Sequence, residues 1–125
     1  MKQIIATPSA PAAIGAYSQA VKVGNLLFAS GQLGIDPATG NLAGSDFRSQ
    51  ATQSLRNVGA ILEAAGTSFE KVVKVTVFMA DMADFGTLNE VYAQSFVAPY
   101  PARSAVAVKT LPKNALVEIE VIAEL

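Results

Sequence analysis

The apolar and polar positions of this chain change period several times, and each change predicts an element. Residues 6–16 are rich in Ala and Pro and carry no period, which predicts an irregular run. Residues 18–23 and 26–34 then read as strands joined by Gly24 and Asn25, a pair suited to a two-residue hairpin turn. Residues 36–40 (DPATG) carry the chemistry of a loop. A helical period follows: Phe47, Ala51, Leu55, Val58, Leu62 and Ala65 recur at spacings of three and four, predicting a helix over 46–65 with one apolar stripe. Ser45 or Asp46 can cap its start, and Gly66 suits its end. Residues 72–79 are β-branched and apolar on both faces apart from Lys74 and Thr76, the pattern of a central strand. A second helix begins at Asp84, turns Phe85, Leu88, Val91, Tyr92 and Phe96 inward, and is stopped by Pro99 and Pro101.

Strands over 103–108 and 116–123 close the pattern, with a short strand expected near 3–6. The resulting β-β-α-β-α-β-β order predicts an α+β fold, a mixed sheet with two helices packed on one face. The other face is left uncovered. A sheet face bearing Val, Ile and Leu is costly to leave in water, so copies of the chain are expected to pack their sheets together and form clefts where two chains meet.

Composition narrows the chemistry. A length of 125 residues fits one domain, expected to span 1–125, and no repeat or linker divides it. Half of the residues are hydrophobic and only 15% are charged, too little polar surface for a disordered chain. Nine basic residues against ten acidic ones give a net charge of -1 without a basic cluster, so nucleic acid is not an expected partner. The first residues (MKQIIATP) are too short an apolar run for a signal sequence, and no stretch approaches the ~18 apolar residues of a membrane span. A soluble, cytoplasmic protein is expected. There is no Cys and no His, which removes thiolate chemistry, the commonest metal ligand and the commonest general base.

What chemistry remains is suggested by the last quarter of the chain. Arg103 opens a run of small and β-branched residues, and Glu118 and Glu120 share one face of a strand whose other face is Val and Ile. Charges in such surroundings call for partners. The partner of Arg103 is either a carboxylate at a strand end or a bound anion; Glu118 and Glu120 are either solvated, paired across an interface, or part of a site.

Several stretches together resemble the Rid family, also called the YjgF/YER057c/UK114 family of reactive-intermediate deaminases. They are residues 10–19 (APAAIGAYSQ), 29–32 (ASGQ), 64–66 (AAG), 76–78 (TVF), 89–92 (NEVY), 101–104 (PARS), 111–113 (LPK) and 118–120 (EIE), and they cover essentially the whole chain. The resemblance implies a chorismate-mutase-like fold and a homotrimer with a site at each subunit interface. It implies hydrolysis of 2-imino acids, such as those released by Ser/Thr dehydratases, to 2-keto acids and ammonium, with no metal or organic cofactor. It also implies that the last strand lies between the strands at Leu26 and Val72, whereas the short connection 109–115 by itself favours a hairpin between the last two strands.

Carried over residue by residue, the resemblance makes Arg103 the substrate-binding arginine, whose planar fork suits an α-carboxylate. Glu118 becomes the carboxylate that orients or activates water, with Glu120 its rival. Tyr17 and Ser30 line the pocket, and Asn89, Gly31 and the backbone of Ala105 are further substrate contacts. Two positions depart from the family pattern: Ala105 stands where many members have Cys, and Ala16 where many have Pro. A cysteine side chain can therefore play no part here.

Overall fold

In the computed structural model, which describes residues 1–125, the elements run β1 (Gln3–Ile5), β2 (Ala20–Val23), β3 (Leu26–Ala29), β4 (Gln32–Leu33), α1 (Phe47–Ala64), β5 (Val72–Met79), α2 (Phe85–Tyr92), β6 (Ala102–Ala107) and β7 (Val117–Glu124). The strands form one sheet in the order β1-β2-β3-β7-β5-β6, with β4 also pairing with β7. Only β5 and β6 are parallel, as a crossover through α2 requires. The last strand thus lies between β3 and β5, and no hairpin joins β6 to β7. Lys113 and Asn114, at φ 59 and 52, help turn the chain back between them. Central placement suits β7, because Val117, Ile119, Val121 and Ala123 alternate along it and are all buried.

Gly24 is the only residue of the β2–β3 turn with positive φ, at 57, the pattern of a turn with glycine first. The strand expected over 26–34 is broken. Ser30 and Gly31 interrupt it, and Ser30 instead turns back, its amide donating to the Gln19 carbonyl at 2.9 Å and its hydroxyl to the Ser18 carbonyl at 2.6 Å.

α1 forms where its stripe places it: Phe47, Ala51, Leu55, Val58, Leu62 and Ala65 are all buried, and the Asp46 carboxylate accepts from the Ser49 amide at 3.0 Å to cap the first turn. Against this stripe lies the apolar face of β7, and Val75, Val77 and Met79 of β5 belong to the same core. Truncating a side chain such as Ile119, with no exposed surface, to Ala costs about 2–5 kcal/mol through lost burial and the cavity left behind. The helix also buries polar residues that its apolar period does not show. Ser54 donates to the Gln32 carbonyl at 2.7 Å, and Asn57 to those of Leu33 and Ile35 at 3.1 and 2.9 Å. Gln50 donates to the Gly44 carbonyl and accepts from the Leu116 amide at 2.8 Å. These bonds tie β4 and the entry to β7 to α1, and so fix the backbone just after Gly31 and just before Glu118.

The second sheet face has no helix over it. Phe28 and Val106 are 42% and 46% exposed there, beside Val21, Phe78 and Ile122, and among them stand Lys74, Thr76, Glu118 and Glu120. A hollow of about 380 Å³ on this face is lined by Phe28, Ser30, Lys74, Thr76, Glu120 and others.

Candidate functional site

Arg103 sits on β6, in register with Val75 of β5, so its side chain leaves the sheet on the helix side. There α2 meets it. Phe85, Asn89 and Tyr92 follow one another at spacings of four and three and share a helix face. The Arg103 guanidinium lies 4.7 Å from the centre of the Tyr92 ring and 5.4 Å from that of Phe85, and its Nη1 donates to Asn89 Oδ1 at 2.9 Å. It makes no ion pair with a carboxylate; the one salt bridge of the chain joins Arg48 to Glu90. A half-open cavity of about 480 Å³ adjoins it, lined by Asn89, Tyr92, Ala93, Tyr100, Pro101 and Arg103. Ala105, two residues along β6, shares the face of Arg103 and packs at the edge of the core.

A second group gathers where β3 breaks. Glu118 on β7 is in register with Phe78, on the face that carries no helices. Its carboxyl crosses the backbone at Gly31 so closely that a Cβ there would stand 2.8 Å from Glu118 Cδ. Partial burial pushes the Glu118 carboxyl above the usual carboxylate range, and the negative charge of Glu120 pushes it the same way. A carboxyl raised in this manner is suited to exchange protons nearer neutral pH. Ser30 is next to Gly31, but its hydroxyl is already donating to Ser18. Tyr17 is 54% exposed, on the loop that leads into β2.

Seven candidate residues therefore divide in two. Arg103, Asn89 and Ala105 stand on the helix side of the sheet's β6 edge, while Ser30, Gly31 and Glu118 belong to the β3–β4 break and the open face, with Tyr17 on the loop that Ser30 fastens through Ser18. One chain does not bring Arg103 and Glu118 together: alternation along β5, β6 and β7 puts them on opposite faces, and no charge but Glu120 acts on Glu118. Of the two rival carboxylates, Glu118 has the close backbone approach, whereas Glu120 lines the hollow of the open face. No group of three or more His, Cys, Asp or Glu side chains is placed to hold a metal ion.

Three residues gain importance that their sequence pattern did not suggest. Gln19, only 4% exposed, accepts from the Thr7 amide at 2.6 Å and donates through Nε2 to the carbonyls of Thr7, Ala10 and Pro11. It binds the irregular N-terminal run to the sheet two residues after Tyr17. Tyr92 and Phe85 read as core positions, and only their spacing from Asn89 could have shown that they flank it.

Residues 7–125 match the model of a protein family described as Endoribonuclease L-PSP. The chain is 53% identical to a 2-iminobutanoate/2-iminopropanoate deaminase from Bos taurus over 98% of its own length and 90% of that protein's. The solved structure of RidA from the Antarctic bacterium Psychrobacter sp. PAMC 21119 superposes with a TM-score of 0.95 at 53% identity, covering 98% of this chain and 99% of that one. That of E. coli TdcF with bound serine superposes with a TM-score of 0.94 at 48% identity, covering 98% of both chains. No helix is long and apolar enough to cross a membrane. With the match spanning nearly all of its residues, the fold shared and the motifs in place, the chain belongs to the Endoribonuclease L-PSP family, which is the Rid family that its sequence resembles.

Proposed function

We propose that the chain is a cytoplasmic deaminase acting as a homotrimer, and that it hydrolyses 2-imino acids such as 2-iminobutanoate and 2-iminopropanoate to 2-keto acids and ammonium. The observation that carries this reading is the state of Arg103: a half-buried guanidinium held in place by an amide and two aromatic rings, with no carboxylate of its own chain to neutralise it. Such a group is ready for a small anion. Relatives about half identical over the full chain bear the name of this activity, and one solved neighbour holds serine, a molecule with an α-carboxylate.

The uncovered sheet face supports assembly, and the division of the candidate residues gives assembly a role. A site that needs both Arg103 and Glu118 is completed when the Arg103 edge of one copy meets the Glu118 of the partner subunit. Arg103 takes the substrate carboxylate through paired hydrogen bonds and fixes the planar imine. Glu118 accepts a proton from water as the oxygen attacks the imine carbon, and returns it to nitrogen. The C–N bond of the resulting amino alcohol then breaks: one protonated imine and one water become one keto acid and one ammonium ion. Tyr17, Ser30, Gly31, Asn89 and the Ala105 carbonyl complete the pocket. No metal or organic cofactor is required, because a protonated imine is already electrophilic.

The test couples the protein to a threonine dehydratase, which releases 2-iminobutanoate. The protein should accelerate formation of 2-oxobutanoate, and Arg103→Ala should abolish the acceleration. Equal rates with both forms would overturn the assignment. Binding of 2-oxobutanoate that depends on Arg103, without acceleration, would support a second reading, a trimeric module that holds small carboxylates without turnover; the serine bound in E. coli TdcF is the observation that favours it. Ribonuclease chemistry, which the family's name mentions, finds neither a histidine nor an excess of basic residues in this chain.

A further inference from the structure

Arg103 stands on an edge strand, where a long side chain ordinarily samples many rotamers, yet here its guanidinium is held from three directions. One Nη1 bond goes to Asn89, and the guanidinium carbon lies over the rings of Tyr92 and Phe85, 4.7 and 5.4 Å from their centres. Tyr92 cannot easily move in its turn. It is 6% exposed and stacked on Phe96 with ring centres 4.3 Å apart, and Phe96 meets Phe69 edge-on at 5.1 Å. An unbroken line of aromatic contacts thus runs from the guanidinium into the core. The Tyr92 hydroxyl, by contrast, is buried without a hydrogen-bond partner in its own chain, so within the chain it is the ring and not the oxygen that meets Arg103.

We propose that Tyr92, assisted by Phe85, is a positioning residue that sets the plane of the Arg103 guanidinium through the face of its ring, leaving the arginine's remaining N–H groups free to receive the substrate carboxylate. The inference rests on the reading of Arg103 as the carboxylate anchor. An aromatic face suits the task because it attracts the cation without occupying an N–H donor and without cancelling the positive charge. A carboxylate in the same place would do both. Because a substrate carboxylate is the same group before and during reaction, the orientation of Arg103 bears on binding more than on the chemical step.

The experiment measures Kd for 2-oxobutanoate by calorimetry, together with KM and kcat in the dehydratase-coupled assay, for Tyr92→Leu, Tyr92→Phe and Arg103→Ala. Tyr92→Leu should raise Kd and KM about 5- to 20-fold and change kcat by no more than about twofold, the range of a partly desolvated cation–π contact. Tyr92→Phe, which keeps the ring face, should rescue both constants to within about twofold of the parent. Equal damage from Tyr92→Phe and Tyr92→Leu would overturn the inference, since the hydroxyl would then be the working group. An unchanged Kd in Tyr92→Leu, with a raised Kd in Arg103→Ala, would overturn it while leaving the anchor intact; an unchanged Kd in both would sink the anchor itself. Should Tyr92→Leu fail to fold, Phe85→Leu carries the test: a rise in Kd of about two- to fivefold, the range of one weak cation–π contact, is expected for this more distant ring, and no rise would overturn the inference.

Discussion

Gly31 and Glu118 share one small volume: a Cβ on residue 31 would lie 2.8 Å from Cδ, 2.9 Å from Cγ and 3.0 Å from Oε1 of the glutamate. The glycine is thus the reason the carboxyl can lie where it does. Gly31→Ala should push the carboxyl aside. What must give is a flexible side chain, so the stability cost should stay at about 1 kcal/mol, the low end for overpacking. Activity should fall at least about tenfold, because a displacement of this size at a reacting group is costly. Thermal melting and the coupled assay on the same sample separate the two effects.

Glu118 has to be ionised to accept a proton from water. Burial, the larger cause, and Glu120, the smaller, both raise its pKa, so the acidic limb of the rate–pH profile should lie above the usual carboxylate range. Glu120→Gln removes the second cause only. The limb should therefore move to lower pH without reaching the position of an unperturbed glutamate, and a shift to higher pH would show that the sign of the coupling is wrong. Glu118→Gln should lose activity at every pH.

The Gln19 side chain gathers one amide and three carbonyls of the N-terminal run. Gln19→Ala leaves those groups without their partner and should cost about 2–4 kcal/mol, the sum expected for a buried polar hub. It should also free the loop carrying Tyr17. Faster amide exchange over residues 7–18, together with a raised KM, is the expected signature; a stability loss with unchanged KM would confine Gln19 to a purely structural part.

Phe28 lies 42% exposed on the sheet face without helices. If copies of the chain cover that face, Phe28→Glu places an unpaired charge in the interface, and sedimentation should show the trimer falling to smaller species. Activity should be lost in parallel.

Much of this architecture could be read from periodicity. The α1 stripe and the limits of β5 come directly from spacings of three and four, and from a β-branched run, because both elements bury their apolar residues against one core. Where the chain buries polar groups instead, the pattern is silent: Gln50, Ser54 and Asn57 look like the solvated side of a helix, and their role depends on backbone carbonyls that arrive from far along the chain. The place of β7 was open to local reasoning for a similar reason, since a short connection is compatible with a hairpin and only long-range pairing with β3 and β5 decides otherwise. Arg103 and Glu118 stood out as charges in apolar strands. That they face opposite sides follows from register across β5, which the spacing of the two residues alone does not contain.

Opposite faces mean that a catalytic site using both residues must be shared between copies, and complementation tests this most directly. Arg103→Ala and Glu118→Ala should each be inactive alone. Co-assembled in equal amounts, they should regain roughly a quarter of the parent's activity, because random assortment in a cyclic trimer pairs an intact Arg103 with an intact Glu118 of the partner subunit at that fraction of interfaces. No recovery in trimers verified to contain both variants would contradict a shared site.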